Sequence, residues 1–394
     1  MNLKNIGPGI ITAALVFGPG SLTINTKLGA GFGFQLLWAI PLAIIFMIIY
    51  TAMSARIGLM LERSFIQEIR VRYGRFLSIV IGLGVFLITA SFQAGNAIGA
   101  GVAFGELFHT ASAPWVIFFS TLAISLLFFR SFYKILEKVM IFLVLLMCGA
   151  FLLTVIISRP NLLAIFQGFI PSLPTGSEYL TVALMASSFA VAGAFYQAYL
   201  VKEKNWKKEE AEECVRESRN GILILGFLSM LVMICAGAVL YEQQKAANTP
   251  ADLGLALEPL FGQFTSSVFM VGFFAASFSS LLGNATIGGS ILADTFSLGH
   301  QLSKLSVRIM IVVVIVTGAT IAITFGAIPL ELIVLASGIT AIVAPAAAVS
   351  IFMFARSEKI MGELKNTPVV NIAGIVGLAL LAVLIIYNVK HLFF

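Results

Sequence analysis

The segment AALVFGPGSLTIN, residues 13–25, places Gly18-Pro19-Gly20 in the middle of an otherwise apolar run. Proline lacks a backbone donor and clashes with the carbonyl four residues earlier, so it interrupts or kinks a helix. The flanking glycines loosen the backbone further. Inside a bilayer, the backbone groups freed by an interruption need protein partners or a water-lined cavity. We therefore predict that the first helix breaks at Pro19 and Gly20.

The composition around this segment is that of an integral membrane protein. The chain has 394 residues, of which 59% are hydrophobic and 11% are charged, whereas soluble domains carry about 25% charged residues. The apolar runs reach roughly 20 residues, the length that crosses about 30 Å of hydrocarbon. About eleven transmembrane helices are predicted, at residues 6–25, 33–57, 76–106, 113–130, 138–158, 179–201, 220–241, 262–295, 308–327, 330–354 and 368–388.

The basic residues alternate between the predicted loops. With the N-terminus in the cytoplasm, 20 of the 24 Lys and Arg residues fall in cytoplasmic segments, which matches the positive-inside bias of membrane proteins. We predict a multi-pass protein of the plasma membrane, the inner membrane in a bacterium, with a cytoplasmic N-terminus and an external C-terminus. The most charged loop, residues 202–219, is predicted to be a surface helix or a solvated connector.

A second weak point lies in the sixth span, at Ala190-Val191-Ala192-Gly193. Spans one and six begin two groups of five, residues 6–158 and 179–354, and the span at 368–388 is additional. Interrupted helices at matching positions of two halves are typical of inverted-repeat transporters, whose site lies at the breaks. A simple proline kink and close packing of small residues explain the same pattern without a site, and both interpretations stay open.

Several stretches of the chain resemble the Nramp family of divalent-metal transporters. They are Ile6-Gly7-Pro8-Gly9, LGAGFGFQLLW (28–38), SARIGL (54–59), GFFAASFSSLLGNATIGGSILAD (272–294) and RSEKIMGELKN (356–366). The resemblance follows the chain in order over nearly its whole length. It implies an all-α integral membrane protein with a LeuT-type 5+5 inverted repeat, one additional C-terminal helix, and a single transmembrane domain over the full chain (1–394).

The resemblance also implies where substrate binds, and there this chain departs from the family. The family's first-helix motif, Asp-Pro-Gly-Asn, provides two metal ligands, and Gly18 and Ser21 occupy their positions here. The Met ligand of the sixth-helix motif, Met-Pro-His-Asn, corresponds to Ala190. Gln93 and Asn96 stand where the family's third helix carries an Asp and a Glu on its proton route.

Two groups of residues are predicted to serve transport. The substrate-binding group is Gly18, Ser21, Ala190, Ala192, Gly193 and Gln197. The permeation-pathway group is Gln93, Asn96, Asn284 and Thr286. Each has an explanation without substrate: helix capping for Ser21, and close packing or interhelical hydrogen bonds for the others.

The chemistry of these residues indicates which kind of solute the predicted site can bind. They provide hydroxyl, amide and backbone oxygens but no formal negative charge, and a dication loses much hydration energy in such a site. We expect a metal cation, divalent by the resemblance and held partly hydrated in the manner of magnesium. Proton coupling is not expected, because amides do not titrate. The alternatives are a neutral or anionic small solute, which half-helix N-termini favour, and a non-transporting membrane sensor or scaffold.

Other function classes find little support in the sequence. No nucleophile–base pairing indicates an enzyme, no cofactor motif is present, and no nucleic-acid-binding pattern accompanies the net charge of +6. The expected partners are the lipid bilayer and a small ion or small-molecule substrate. A monomer is compatible with these features.

Overall fold

The computed structural model describes residues 17–326 and 329–393, and the regular elements within these ranges are helices. They are α1 (Pro19–Phe32), α2 (Ala39–Met60), α3 (Phe65–Tyr73), α4 (Arg75–Phe108), α5 (Ser112–Leu126), α6 (Arg130–Ser158), α7 (Leu162–Gln167), α8 (Glu178–Ser188), α9 (Val191–Glu203), α10 (Ala211–Ala236), α11 (Pro250–Gly254), α12 (Glu258–Phe261), α13 (Thr265–Thr295), α14 (Leu305–Thr324), α15 (Pro329–Ala355), α16 (Glu358–Met361) and α17 (Pro368–Phe393).

The described helices match the predicted spans in length and order. Within the described residues, seven helical stretches are long and apolar enough to cross a membrane, and three shorter apolar helices lie at Ser112–Leu126, Val144–Ser158 and Ala344–Ala355. Each predicted span from the second to the eleventh overlaps one of these ten stretches. The first predicted span, 6–25, is described only from residue 17 onward.

The charged segment 202–219 is partly helical, as one of its two predicted forms has it, but its helix is continuous with the seventh span. Its last nine residues form the beginning of α10, which continues from Ala211 to Ala236 without interruption. A short 3₁₀ turn, Lys208–Glu210, precedes it. The segment is therefore a helical extension of the seventh span. This continuity arises because Glu, Arg and Ala favour helix as strongly as the apolar residues that follow.

The centre of the bundle is α4, which packs against α13, α14 and α15. Small residues allow these helices to approach closely. At Gly99 an added Cβ would lie 2.5 Å from Ser277 Oγ and 2.9 Å from Pro19 Cβ. Gly99 thus lets α4 touch both α13 and the start of α1. The N-terminal end of α1, at Pro19, is consequently held against two long helices.

Candidate functional site at the two helix interruptions

The first predicted interruption falls at the start of α1, and the residues before Phe17 lie outside the described part of the chain. Pro19 occupies the first helical position and Gly18 precedes it with extended backbone angles, φ −95° and ψ −175°. No side chain caps this end of the helix. The first-turn N–H groups of a helix have no intrahelical partner, so α1 directs backbone donors and a partial positive charge toward the bundle interior.

The second interruption separates α8 from α9. The first of these helices ends at Ser188 and the second begins at Val191, with Phe189 (φ −86°, ψ 63°) and Ala190 (φ −68°, ψ 77°) outside helical geometry. No side chain caps the start of α9. The predicted break near Ala190 is therefore present although the segment contains no proline. Carbonyls at the end of α8 and amides at the start of α9 meet there.

Both interruptions open onto one cavity between α1, α4, α8, α9 and α13. Its volume is about 60 Å³. Because a water needs about 10–15 Å³ of such space, the cavity has room for a few waters, or for one ion with part of its hydration shell. Its lining is Gly18, Gly20, Ser21, Ile88, Phe92, Asn96, Ser187, Ala190, Ala192, Gly193, Ser280, Asn284 and Ile287.

Polar oxygens face the position of Gly18. A Cβ added to Gly18 would lie 3.0 Å from Ser280 Oγ and 3.1 Å from Asn96 Oδ1. The Ser280 hydroxyl is buried and has no hydrogen-bond partner among the described residues. A buried polar atom without a partner is uncommon and is often satisfied by water or an ion. These two side chains therefore present oxygen ligands to the space beside the first interruption.

An amide network joins α4 to α13 beside the cavity. The fully buried Gln93 donates from Nε2 to the Leu281 carbonyl at 3.0 Å. Asn284 donates from Nδ2 to the Thr89 carbonyl at 2.6 Å and to Gln93 Oε1 at 3.4 Å. The Gln93 amide thus has partners on both its donor and acceptor atoms. It holds two helices together and does not line the cavity.

Most of the residues predicted from the sequence converge on the cavity. The first interruption contributes Gly18, Gly20 and Ser21, the second contributes Ala190, Ala192 and Gly193, and α4 and α13 contribute Asn96 and Asn284. Pro19 starts α1 between these residues. Their contact with substrate stays a prediction.

Besides Gln93, two more residues of the predicted transport groups lie outside the cavity lining. Gln197 donates from Nε2 to Ser218 Oγ at 2.6 Å and so connects α9 to α10. Thr286 donates from Oγ1 to the Leu282 carbonyl of its own helix at 2.8 Å. Neither side chain is placed to touch an ion in the cavity in this conformation.

The sequence-based set omitted two serines that line the cavity. Ser187 lies in the last turn of α8, and Ser280 lies in the Ser-Phe-Ser-Ser run of α13. That run contains three serines, at 277, 279 and 280, in an apolar span. The clustering marks a polar stretch, but only packing shows that Ser280 is the one that faces Gly18.

The two ends of the bundle differ. A second cavity, the vestibule, has a volume of about 740 Å³ and is lined at the C-terminal end of α1 by Lys27 and Gly31. At the opposite end, which we call the α3 end, Asp294 accepts hydrogen bonds from Gln67 and Tyr199. The α3 end is therefore closed by side-chain contacts, whereas the vestibule end has open space.

Aromatic rings add to the closure of the α3 end. Phe65 of α3 stacks on Phe195 of α9 with ring centroids 4.5 Å apart, and it meets Phe354 of α15 edge-to-face at 5.0 Å. These fully buried rings leave little room for water between the cavity and this end.

The cavity lining carries no Asp, Glu, His, Lys or Arg side chain. Across residues 17–326 and 329–393, no group of three or more His, Cys, Asp or Glu residues is placed to hold a metal ion. A dication in the cavity would therefore depend on neutral oxygens and retained water.

Comparison with known proteins identifies relatives along the whole chain. The family model described as "Natural resistance-associated macrophage protein-like" (Nramp) matches residues 9–391. The chain is 26% identical to the Divalent metal cation transporter MntH of Chromohalobacter salexigens over 395 residues, covering 97% of this chain and 90% of that protein.

Solved structures share the fold. The Eremococcus coleocola manganese transporter, in complex with an aromatic bis-isothiourea substituted compound, superimposes with a TM-score of 0.78 at 20% identity, covering 98% of this chain and 85% of that one. Mhp1, a nucleobase-cation-symport-1 family transporter in a closed conformation, gives a TM-score of 0.66 at 15% identity, covering 97% and 93% of the two chains. The LeuT-type helical fold predicted from the sequence is confirmed.

Proposed function

This chain belongs to the Nramp family, and we propose that it carries a divalent metal cation across the membrane through the cavity at its two helix interruptions. One observation carries the proposal. The cavity lies where α1 begins and where α8 gives way to α9, and two of its side-chain oxygens, those of Ser280 and Asn96, face Gly18, the position of the family's first metal ligand. The names of the relatives support a divalent metal as cargo.

The cation is held with part of its water shell. A dication transferred into a site without carboxylates loses more hydration energy than neutral oxygens return. The cavity, at about 60 Å³, has room for the ion and a few waters, and these waters complete the coordination sphere. Magnesium dehydrates reluctantly and commonly keeps several waters in protein sites, so it fits this lining better than a fully dehydrated transition metal.

Transport proceeds by alternating access without obligatory proton movement. The closed α3 end and the open vestibule correspond to a state that faces one side of the membrane. Opening of the α3 end with closure of the vestibule exposes the cavity to the other side. Protons have no carrier in the lining, since it has no titratable side chain.

The orientation follows from the basic loops. We place the α3 end in the cytoplasm of a bacterial cell and the vestibule outside, because cytoplasmic segments of membrane proteins concentrate Lys and Arg. The α3 end carries Arg63, Arg70, Arg72 and Arg75. This gives a cytoplasmic N-terminus and an external C-terminus.

The test is uptake into proteoliposomes that contain the purified protein and a metal-sensitive dye. Magnesium, manganese and cadmium are added in turn. We expect saturable uptake that falls at least about tenfold in Ser280→Ala, which loses an oxygen at the cavity. Ser350→Ala is the matched control, because Ser350 Oγ donates to Ala346 of its own helix at 2.8 Å. Absence of uptake for all three metals, from protein that elutes as a single folded species, overturns the proposal.

A second candidate function is transport of a small anionic solute. Two helix N-termini without side-chain caps face the cavity, and such ends favour anions. The lining contains no carboxylate that would repel one. Uptake of radiolabelled organic or inorganic anions that does not require a divalent metal would favour this function over the first.

A further inference from the structure

A short apolar segment between two spans leaves its large side chains uncovered. Residues 160–173 connect α6 to α8 and contain no Asp, Glu, Lys or Arg. Four large apolar side chains in this segment are 65–70% exposed: Leu162, Leu163, Phe166 and Ile170. A contiguous exposed apolar patch marks a surface that meets another partner.

The short helix α7 within this segment has two different faces. Leu162 and Phe166 are four residues apart and so share one face of α7, together with the neighbouring Leu163. On the opposite face, Ala164 and the buried Gly168 line a side cavity of about 320 Å³. The apolar face of α7 therefore points away from the helix bundle.

The side cavity places the segment at the vestibule end. Its lining shares Phe32, Tyr241 and Glu242 with the lining of the vestibule. The segment 160–173 therefore lies beside the vestibule, at the end of the bundle opposite the α3 end.

The segment is fastened to the turn between α1 and α2, residues 33–38. The Gly168 carbonyl accepts a hydrogen bond from the Trp38 N–H at 3.0 Å. Ser172 Oγ donates to the Gln35 carbonyl at 3.2 Å, and Trp38 Nε1 donates to the Ser172 carbonyl at 2.9 Å. An added Cβ at Gly168 would collide with the Phe34 carbonyl oxygen, so the two backbones are in direct contact.

Lipid is the partner that this surface fits. The segment joins the end of one span, at Ser158, to the start of another, at Glu178, and so lies at the border of the membrane. Its exposed apolar surface continues that of the last turns of α6, where Leu153, Ile156 and Ile157 are each at least 50% exposed. An apolar stretch of about 10–14 residues is too short to span a bilayer but suits an interfacial position.

The backbone of α7 also suits a place with little water. Asn161 Oδ1 accepts hydrogen bonds from the N–H groups of Leu163 and Ala164, at 2.9 Å and 3.3 Å. These first-turn donors would otherwise have no partner in the helix, and lipid offers none.

We propose that residues 161–173 insert the apolar face of α7 into the lipid interface at the vestibule end, and that this inserted segment holds the turn between α1 and α2 at the membrane border. Amphipathic helices lie in this way at the boundary between headgroups and acyl chains. Insertion does not depend on which solute the protein carries.

The first experiment locates two neighbouring side chains relative to lipid and water. The full chain is reconstituted in vesicles of phosphatidylcholine and phosphatidylglycerol, with an environment-sensitive fluorophore attached to Phe166→Cys or to Gln167→Cys. Gln167 is the matched control, because it is also exposed but lines the side cavity. The protein without either substitution gives the background from Cys148, Cys214 and Cys235.

Two quenchers distinguish the environments. We expect a nitroxide on the lipid acyl chain, just below the headgroup, to quench position 166 at least about threefold more than position 167, and iodide in the water to show the reverse preference. Equal quenching at the two positions overturns the proposal. Protection of position 166 from both quenchers also overturns it, because another protein or a second copy of this chain would then cover α7.

The second experiment removes the segment from the lipid. Leu163→Asp with Phe166→Asp places two carboxylates on the apolar face, and the fluorophore is attached to Ile170→Cys. We expect iodide quenching at 170 and amide hydrogen exchange at Trp38 each to rise at least about threefold, because the segment leaves the interface and releases the turn. Gln167→Asp, which adds a charge on the cavity side, is the control and leaves both unchanged.

Unchanged iodide quenching in the doubly charged protein overturns insertion, and unchanged exchange at Trp38 overturns the attachment of the turn. Phe166→Asp alone replaces the pair if the doubly charged protein does not elute as a single folded species. Neither experiment adds a metal or measures uptake, so both outcomes are separate from the test of transport.

Discussion

The Tyr199 hydroxyl lies 2.7 Å from Oδ2 of Asp294 and donates a hydrogen bond to it, joining α9, the helix after the second interruption, to the end of α13. The Asp294 carboxylate is fully buried, and Gln67 Nε2 donates to its other oxygen at 2.9 Å. Tyr199 also accepts from the Ile66 N–H at 3.2 Å. One buried carboxylate thus ties three helices together at the α3 end.

Tyr199→Phe should weaken that closure. The change removes the hydroxyl that donates to the buried Asp294 carboxylate and accepts from the Ile66 N–H. A buried polar group left without a partner lowers the free energy of unfolding by about 1–3 kcal/mol. We expect a lower apparent Tm and faster labelling of a thiol introduced at the α3 end. Tyr73→Phe is the control. The Tyr73 ring packs on Phe354, but Tyr73 itself is 43% exposed. An unchanged Tm in Tyr199→Phe would contradict the structural role of the bond.

Gly18→Asp should convert the cavity into a tighter divalent-metal site. The new carboxylate would enter the space beside Asn96 Oδ1 and Ser280 Oγ and add the negative charge that dications prefer. We expect the KM for manganese uptake to fall at least about tenfold. Gly18→Ala has the same Cβ without the charge and should leave KM equal or higher. Equal KM values in the Asp and Ala variants would show that position 18 does not face the ion.

Gln93→Leu should reduce stability more than it alters substrate affinity. The substitution leaves the Leu281 carbonyl and the Asn284 amide without their Gln93 partner, a loss of about 1–3 kcal/mol for buried groups. The measurement is the apparent Tm in detergent, together with KM in proteoliposomes. Gln243→Leu, at an exposed turn, is the control. A large change in KM at normal Tm would instead place Gln93 on the permeation pathway.

Metal uptake should not acidify the vesicle interior. The cavity lining contains no side chain that titrates, so no proton accompanies the cation through it. A pH-sensitive dye inside the proteoliposomes, with the membrane potential clamped, measures this directly. The Gly18→Asp variant is an internal comparison, since it restores a titratable group. Acidification that scales with metal uptake in the unmodified protein would refute the prediction.

Gly99→Ala should destabilise the protein, whereas Gly149→Ala should not. The added Cβ at Gly99 would lie 2.5 Å from Ser277 Oγ and 2.9 Å from Pro19 Cβ, while at Gly149 no atom lies within 4 Å. Both glycines are inside helices, where replacing glycine by alanine stabilises the helix by about 0.5–1 kcal/mol when the added Cβ meets no neighbour. The apparent Tm should fall for the first variant and stay equal or rise for the second. Matching Tm changes would show that close approach at Gly99 is unimportant.

The sequence by itself determined the membrane-spanning helices, the family and the beginning of α1 at Pro19. These depend on local properties: apolar runs long enough to cross a bilayer, and a proline that cannot continue a helix. The weaker interruption near Ala190 also followed from the chain, through its place at the start of a second group of five spans. Such features are independent of the neighbours that each helix later meets.

Only the tertiary structure decided which polar side chains share the cavity. Gln197 and Ser280 are both polar residues in apolar spans, yet Gln197 bonds to Ser218 and Ser280 faces Gly18. Likewise, Gln93 and Asn96 lie one helical turn apart, but the first joins α4 to α13 and the second lines the cavity. The direction of a side chain around its helix depends on how the helices rotate and pack against one another, and small residues such as Gly99 set that packing through contacts distant in sequence.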